Sequence, residues 1–219
     1  MIPMKPCVLP VLRIVVLAAG FSTRLGRSKA LTTVRGVSLL AGTLTTLAPF
    51  RGGLPIIVVV PPRAGSYRRG RQPAGTQFIV NKNRARGLAS SVRAGLGAAR
   101  HSAAVLLLPV DLVNLTHRDI AHLIARWRGA RRRVAARRVA GGAGTPLILP
   151  CWLYSTALTL AGDQGLRDVV RRLPRAHLAL LDLPSAGADV DTIEDLARAR
   201  ARACRTARGR QSRALCTSR

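Results

Sequence analysis

Between Leu17 and Lys29 the chain reads Leu-Ala-Ala-Gly-Phe-Ser-Thr-Arg-Leu-Gly-Arg-Ser-Lys, small where a backbone would approach a ligand and cationic at set places. Residues as small as Ala18, Ala19, Gly20, Ser22 and Gly26 let main-chain N–H groups point at phosphate oxygens. Arg24 and Lys29 add the positive charge that polyphosphate binding requires. The spacing is neither a Walker loop nor a G-x-G-x-x-G dinucleotide fingerprint. Its glycines alone would also suit any tight strand-to-helix turn.

Two acidic elements complement this basic loop. Leu108-Pro109-Val110-Asp111 delivers an aspartate just past an apolar run, where open α/β sheets bind ligands and where Mg²⁺ on a phosphate takes one or two carboxylates. Helix capping or loop solvation would equally occupy Asp111. Farther on, Asp189-Val190-Asp191-Thr192-Ile193-Glu194-Asp195 reads by itself as an acid-rich helix start favoured by the helix dipole, with Thr192 and Asp195 at capping-box positions. Taken with Asp111, it offers Asp191, and next to it Asp189, as a second metal ligand.

These groups need a scaffold, and the apolar runs supply one. Arg13 to Leu17, Pro55 to Val60, Gln77 to Val80, Ala104 to Asp111, Val134 to Ala140 and Leu178 to Leu183 read as strands. Helical stretches fall at about Ser38 to Leu47, Gly87 to Ala99 and Thr116 to Trp127, the last with Asp119 three residues after a Thr116 cap. A basic loop is expected over Gly65 to Gly75, a glycine-rich turn over Gly141 to Pro146, and helical regions after Pro150 and after Gly165. Alternation of strand and helix predicts an α/β fold with a Rossmann-like, doubly wound, mainly parallel (mixed) sheet. The expected organisation is an N-terminal extension over 1–11, one catalytic domain over 12–197 and an arginine-rich tail over 198–219.

Composition narrows the partners. The 36 basic residues, all but three of them arginine, face nine acidic ones for a formal charge of +27, which favours anionic ligands; an arginine-rich coding habit would produce the same excess. Nucleic acid ranks behind a polyphosphate ligand, because aromatic residues for stacking make up only 3% of the chain. Cys7, Cys151, Cys204 and Cys216 follow no metal-ligand or disulfide spacing, which suits a reducing compartment. Lys5 and the apolar residues after it imitate a secretory signal, but Arg13 interrupts the run and cleavage after Ala19 would remove a strand, so a cytoplasmic location is expected. No apolar stretch is long enough to span a membrane. The tryptophans Trp127 and Trp152 read as packing residues, and the arginine runs at 131–133, 137–138 and 171–172 as solvated faces.

The full string from Leu17 to Lys29 resembles the L-A-A-G-x-S-x-R-x-G-x-x-K signature of nucleotidyltransferases with the nucleotide-diphospho-sugar transferase fold. Asn83-Arg84-Ala85-Arg86-Gly87-Leu88-Ala89-Ser90-Ser91, Gly141 to Pro146 and Gly162-Asp163-Gln164-Gly165-Leu166-Arg167 are similar to elements of the molybdenum cofactor cytidylyltransferase branch. Ala19 matches the cytidylyltransferase form of the signature. The similarity spans roughly residues 12 to 197 in the expected order. It implies transfer of CMP from CTP to a molybdopterin-type phosphorylated acceptor, with Mg²⁺ as cofactor and a molybdenum hydroxylase as recipient; the alternatives are a guanylyltransferase or related NTP transferase with another phosphorylated acceptor and, from another class, a basic nucleic-acid-binding protein or a non-catalytic cofactor carrier. By the resemblance, Lys29 and Arg24 are catalytic, and Leu17, Ala18, Ala19, Gly20, Ser22, Gly26, Asn83, Gly87, Ser90 and Ser91 hold the nucleotide. Asp111, Asp191 and Asp189 hold the metal, and Gly144, Pro146, Gly162, Asp163, Gly165 and Arg167 shape the acceptor pocket. Leu112, Val113, Thr145 and Ile193 depart from the usual pattern and leave the acceptor open.

Overall fold

The computed structural model describes residues 9–21, 28–34, 36–68, 75–187, 192, 194–195 and 197–198. Its central strands come from the apolar, β-branched runs. Strand β1 spans Leu9–Leu17 and reaches back into the segment read as an extension, where Leu9 pairs with Ser102. A two-stranded hairpin follows, β2 (Thr33–Val34) and β3 (Val37–Ser38), and then helix α1 (Leu39–Leu47), started by the Ser38 hydroxyl accepting from the Ala41 N–H. Strand β4 (Ile56–Val60) is buried at every residue, as a strand covered on both faces must be. The expected basic loop begins instead with a short helix, α2 (Gly65–Arg68), and leads to β5 (Thr76–Val80).

Helix α3 (Leu88–Ala98), strand β6 (Ser102–Pro109) and helix α4 (His117–Arg128) come next, followed by β7 (Val134–Val139) and β8 (Gly142–Pro150). Two short helices, α5 (Tyr154–Leu158) and α6 (Leu166–Arg171), precede the last strand, β9 (Leu178–Leu181). The seven-stranded sheet runs in the order β5-β4-β1-β6-β8-β7-β9. Only β8 is antiparallel to its neighbours. From β1 the chain first builds outward through β4 and β5, then returns to β1's other side as β6, so the strand order reverses between β1 and β6.

The pleat sends alternate residues of the central strands to opposite faces. Ile14, Val16, Val58 and Leu106 pack under α1 and α4, which contribute Leu40, Leu44, Leu47, Ile120, Leu123 and Trp127 at helical spacing. Val15, Leu17, Val59 and Leu107 pack under α3, α5 and α6 through Val92, Leu96, Tyr154, Ala157, Val169 and Val170. Leu40, Leu44 and Leu47 are fully buried, and truncating any one to alanine costs about 2–5 kcal/mol. Helix α3 lies close on the sheet at Gly95, where a Cβ would be 2.5 Å from a Val15 methyl and 3.3 Å from one of Val59.

Two expectations are corrected here. The stretch from Gly141 to Pro146 is not one extended turn: β8 already begins at Gly142, and Gly144 pairs with Arg137. Cross-strand hydrogen bonding to β7 overrides the local turn preference, and the register shift between Ala136 and Arg137 accommodates Pro146, which has no N–H to give the ladder. Trp127 is a packing residue as expected, whereas Trp152 is 43% exposed. No helix of the described residues is long and apolar enough to cross a membrane.

Candidate active site

A cleft of about 890 Å³ opens at the carboxyl ends of β1 and β6, where the strand order reverses. This is where an open α/β sheet presents its loops to a ligand. One wall is the backbone that leaves β1: Leu17, Ala18, Ala19, Gly20 and Phe21. Ala18 is pinned by its N–H to the Val59 carbonyl at 2.8 Å, so this wall continues the sheet geometry.

The floor carries the charged pair. Lys29 Nζ donates to Asp111 Oδ2 at 3.0 Å, and both side chains are 17% exposed. Asp111 sits just past β6 and Lys29 in a short 3₁₀ turn, so residues 82 positions apart meet only because β1 and β6 are adjacent. The Val110 N–H donates to the Leu17 carbonyl and fixes the approach of the two strand ends. Asp111 Oδ1 is buried and has no hydrogen-bond partner among the described residues. A buried carboxylate oxygen left without a donor is costly unless a cation completes it, and a hard divalent ion that binds oxygen fits that position.

The opposite wall is made where two loops interlock. Gly87 has φ +80°, and a Cβ there would overlap the Gly162 carbonyl and the Asp163 carboxylate. The Ala89 N–H donates to the Gly162 carbonyl at 3.0 Å, so the start of α3 and the Gly162–Asp163 turn form one surface. Arg84, Ala85, Arg86, Leu88, Ser91, Gly162 and Asp163 all line the cleft. The Arg84 guanidinium stacks 3.9 Å from the centre of the Phe21 ring and so ties this wall to the β1 wall.

Ten residues expected from the sequence to form the site, Leu17, Ala18, Ala19, Gly20, Lys29, Gly87, Ser91, Asp111, Gly162 and Asp163, therefore share one cleft. Asn83 and Ser90 stand behind it. The Ser90 hydroxyl donates to the Gly87 carbonyl at 2.8 Å, and the Asn83 N–H donates to the Asn81 side-chain oxygen at 2.9 Å. Gly144, Pro146, Gly165 and Arg167 are not brought to the cleft lining. Arg167 instead donates to the Ala140 carbonyl, and Gly165 is buried against Leu88. Ser22, Arg24, Gly26, Asp189 and Asp191 lie outside the described residues. The element containing the last two does show its expected cap: the Thr192 N–H donates to Asp195 Oδ2 at 2.9 Å and Asp195 N–H to Thr192 Oγ1 at 3.1 Å.

Sequence reasoning misses Asn81. It is 3% exposed, and its amide donates to Ser90 Oγ at 2.8 Å and to Ser91 Oγ at 3.0 Å, locking the first turn of α3 against the end of β5. A polar residue within two positions of a strand's carboxyl end is the available signal, the same one that marks Asp111.

Over residues 14–178 the chain matches the family described as the MobA-like NTP transferase domain. The nicotine blue oxidoreductase of Paenarthrobacter nicotinovorans is 32% identical over 205 residues, 88% of this chain and 96% of that protein. Among solved structures, the homolog of Mycobacterium tuberculosis rv0371c from Mycobacterium sp. strain JC1 superposes with a TM-score of 0.74 at 26% identity, covering 89% of this chain and 98% of that one. Rv0371C from Mycobacterium tuberculosis H37Rv in complex with manganese is 25% identical with a TM-score of 0.65, covering 86% and 96%.

Proposed function

The chain belongs to the MobA-like NTP transferase family, a family of nucleotidyltransferases, and from that premise we propose that it transfers CMP from CTP to the phosphate of a molybdopterin-type cofactor and releases pyrophosphate. The observation that carries this reading is the Lys29–Asp111 pair on the floor of the cleft, with Asp111 Oδ1 buried and unpartnered among the described residues, beside the backbone of Ala18 to Gly20.

In this reading an oxygen of the acceptor phosphate attacks the α-phosphorus of the nucleotide, the bond from that phosphorus to the β-phosphate bridging oxygen breaks, and pyrophosphate leaves with the electron pair. The reaction needs positioning and charge stabilisation rather than a covalent enzyme intermediate. Main-chain N–H groups of Ala19 and Gly20 face the triphosphate, since that of Ala18 is taken by the Val59 carbonyl, and Ser22 and Gly26 are assigned to the same nucleotide-binding string. Lys29 and Arg24 stabilise charge on the phosphates. The first turn of α3, with Gly87 and Ser91, faces the base and ribose, and the Gly162–Asp163 turn faces the acceptor. Asp111, with Asp191 and Asp189, would hold Mg²⁺, which would supply charge neutralisation at the phosphates; the manganese complex of a related protein supports a divalent ion. A cytoplasmic location and transfer of the product to a molybdenum hydroxylase complete the proposal.

A second reading follows from the relative named an oxidoreductase, in which this chain carries out a redox reaction instead of a transfer. One experiment separates the two. Pyrophosphate release is measured with each of the four NTPs, with and without Mg²⁺ and a molybdopterin acceptor, beside oxidation of reduced nicotinamide nucleotides, for wild type and Asp111→Ala. CTP-, acceptor- and Asp111-dependent pyrophosphate release is expected. Release with GTP alone makes the chain a guanylyltransferase, and nicotinamide oxidation without pyrophosphate release replaces the transfer reading altogether.

A further inference from the structure

A second cavity, of about 440 Å³, lies at the other end of the sheet and is lined by Arg132, Arg133, Trp152, Ala176 and His177. Three connections meet there. Arg132 and Arg133 immediately precede β7, His177 immediately precedes β9, and Trp152 follows the end of β8, which runs antiparallel to β6 and β7. The cavity is therefore at the amino end of the parallel strands, one length of β6 from Asp111, or roughly 25 Å for eight residues at about 3.3 Å each.

The Trp152 ring is exposed but not loose. Its indole Nε1 donates to the Arg132 carbonyl at 3.0 Å, and it meets the His177 ring edge-on at 5.4 Å between centroids. A large aromatic side chain held through its indole N–H and 43% exposed can act as a stacking platform. The surrounding charge is of one sign. Arg128, Arg131, Arg132, Arg133, Arg172 and Arg175 are exposed, and none of them forms an ion pair with a carboxylate among the described residues. The segments that build this face carry no acid at all, since no Asp or Glu occurs between Asp119 and Asp163 or between Asp168 and Asp182. Nothing in the proposed nucleotidyl transfer uses these residues.

We propose that this face is a binding site for single-stranded nucleic acid, with one base stacked on Trp152 and the neighbouring phosphates on the arginines at 128–133 and 172–175. A cavity of this size admits one nucleoside, and Arg132 and Arg133 in its lining, with Arg175 next in sequence to the lining residue Ala176, suit an anion longer than a single phosphate. Duplex DNA hides its base faces, so the exposed indole selects the single strand. The chain's scarcity of aromatics does not oppose this, because one exposed tryptophan beside Arg132 and Arg133 is enough for one stacked base.

The test is fluorescence anisotropy of a labelled oligothymidylate of about 12 nucleotides and of a duplex of the same length, using the full chain. Wild type is expected to bind the single strand more tightly than the duplex, and to weaken roughly 30-fold from about 50 to 200 mM salt if three to four phosphates are engaged. Trp152→Ala is expected to weaken single-strand binding about ten-fold or more. Arg132→Glu with Arg133→Glu is expected to weaken it further. Both variants should retain the wild-type circular dichroism spectrum and wild-type pyrophosphate release, so this site stands or falls apart from the catalytic reading. Equal affinity of wild type and Trp152→Ala, or duplex binding as tight as single-strand binding, overturns the proposal and leaves only diffuse attraction by net charge.

Discussion

The two ends of the sheet solve opposite electrostatic problems with the same strands. At the carboxyl end, carboxylates stand among the cations of one cleft: Lys29 is paired with Asp111, and Asp163 shares the lining with Arg84 and Arg86. At the amino end, arginines accumulate around Trp152 and His177 without a carboxylate lining the cavity. A paired lysine and aspartate of limited exposure suit chemistry, because charges held in a poorly solvated position are fixed before the reaction begins. An unmatched, solvated face suits recognition of an extended anion, where attraction is long-ranged and salt-sensitive. Helix α4 connects the two. It starts after Asp111 with a capped turn and ends in Arg126 and Arg128, basic residues that complement the carboxyl end of the helix dipole before the chain enters the arginine face.

If that division is right, the largest separable effect belongs to Lys29. Lys29→Ala removes the cation facing the phosphates and should lower kcat by about 10²–10³-fold, the scale of losing one preorganised electrostatic group. Oligonucleotide affinity should not change, and measuring both on the same preparation breaks the comparison if the two fall together. Next comes Gly87→Ala, which puts a methyl group into the Gly162 carbonyl at a positive φ. It should destabilise by about 1–3 kcal/mol in urea unfolding and raise KM for the nucleotide, while binding at Trp152 stays intact. Asn81→Ala leaves Ser90 and Ser91 without their buried donor and should cost about 1–2 kcal/mol, with a smaller rise in KM than Gly87→Ala. An unchanged KM in both variants would separate the start of α3 from nucleotide binding.

The parts of this arrangement that depend on local pattern are legible in the amino-acid sequence alone. The β-branched runs announce β1, β4 and β6, and a glycine turn and an aspartate at their carboxyl ends announce Lys29's loop and Asp111. The Thr116–Asp119 and Thr192–Asp195 caps are legible for the same reason, since a capping box is contained within four residues. What local pattern does not encode is strand order. Gly142 to Pro146 looks like a turn because its glycines and proline lack strand-forming side chains; what makes it a strand is the hairpin pairing with the preceding β7 and, for the rest of β8, the pairing with β6. Trp152 looks like a core residue because only the antiparallel course of β8 carries it to the amino end of the sheet and into the arginines. Asn81 escapes notice because it carries no charge, although it stands, like Asp111, within two positions of a strand's carboxyl end.

The smallest predicted effect tests the distinction between the two aspartates that follow β6. Asp111 keeps one buried oxygen unpartnered among the described residues, whereas Asp119 Oδ2 accepts from the Thr116 N–H at 2.9 Å, the Thr116 hydroxyl at 2.6 Å and the Ser185 hydroxyl at 2.6 Å. Burial works against ionisation of Asp119, but the hydrogen bonds from Ser185 and Thr116 outweigh it and hold its carboxyl below the ordinary aspartate value. The folded state therefore releases this proton more readily than the unfolded chain, whose aspartates titrate near about 3.9. The stabilisation is complete above that unfolded value and disappears as pH falls through the lower folded value. Asp119→Asn should cost about 1 kcal/mol near pH 6, the typical worth of a helix cap, with turnover per folded molecule unchanged. Urea unfolding of wild type and variant should converge as the pH is lowered past the ordinary aspartate value and through the lower folded one. A gap that stays constant with pH would mean that Asp119 acts through shape rather than charge, and a loss of turnover would place it with Asp111 in the site instead of in the frame beneath it.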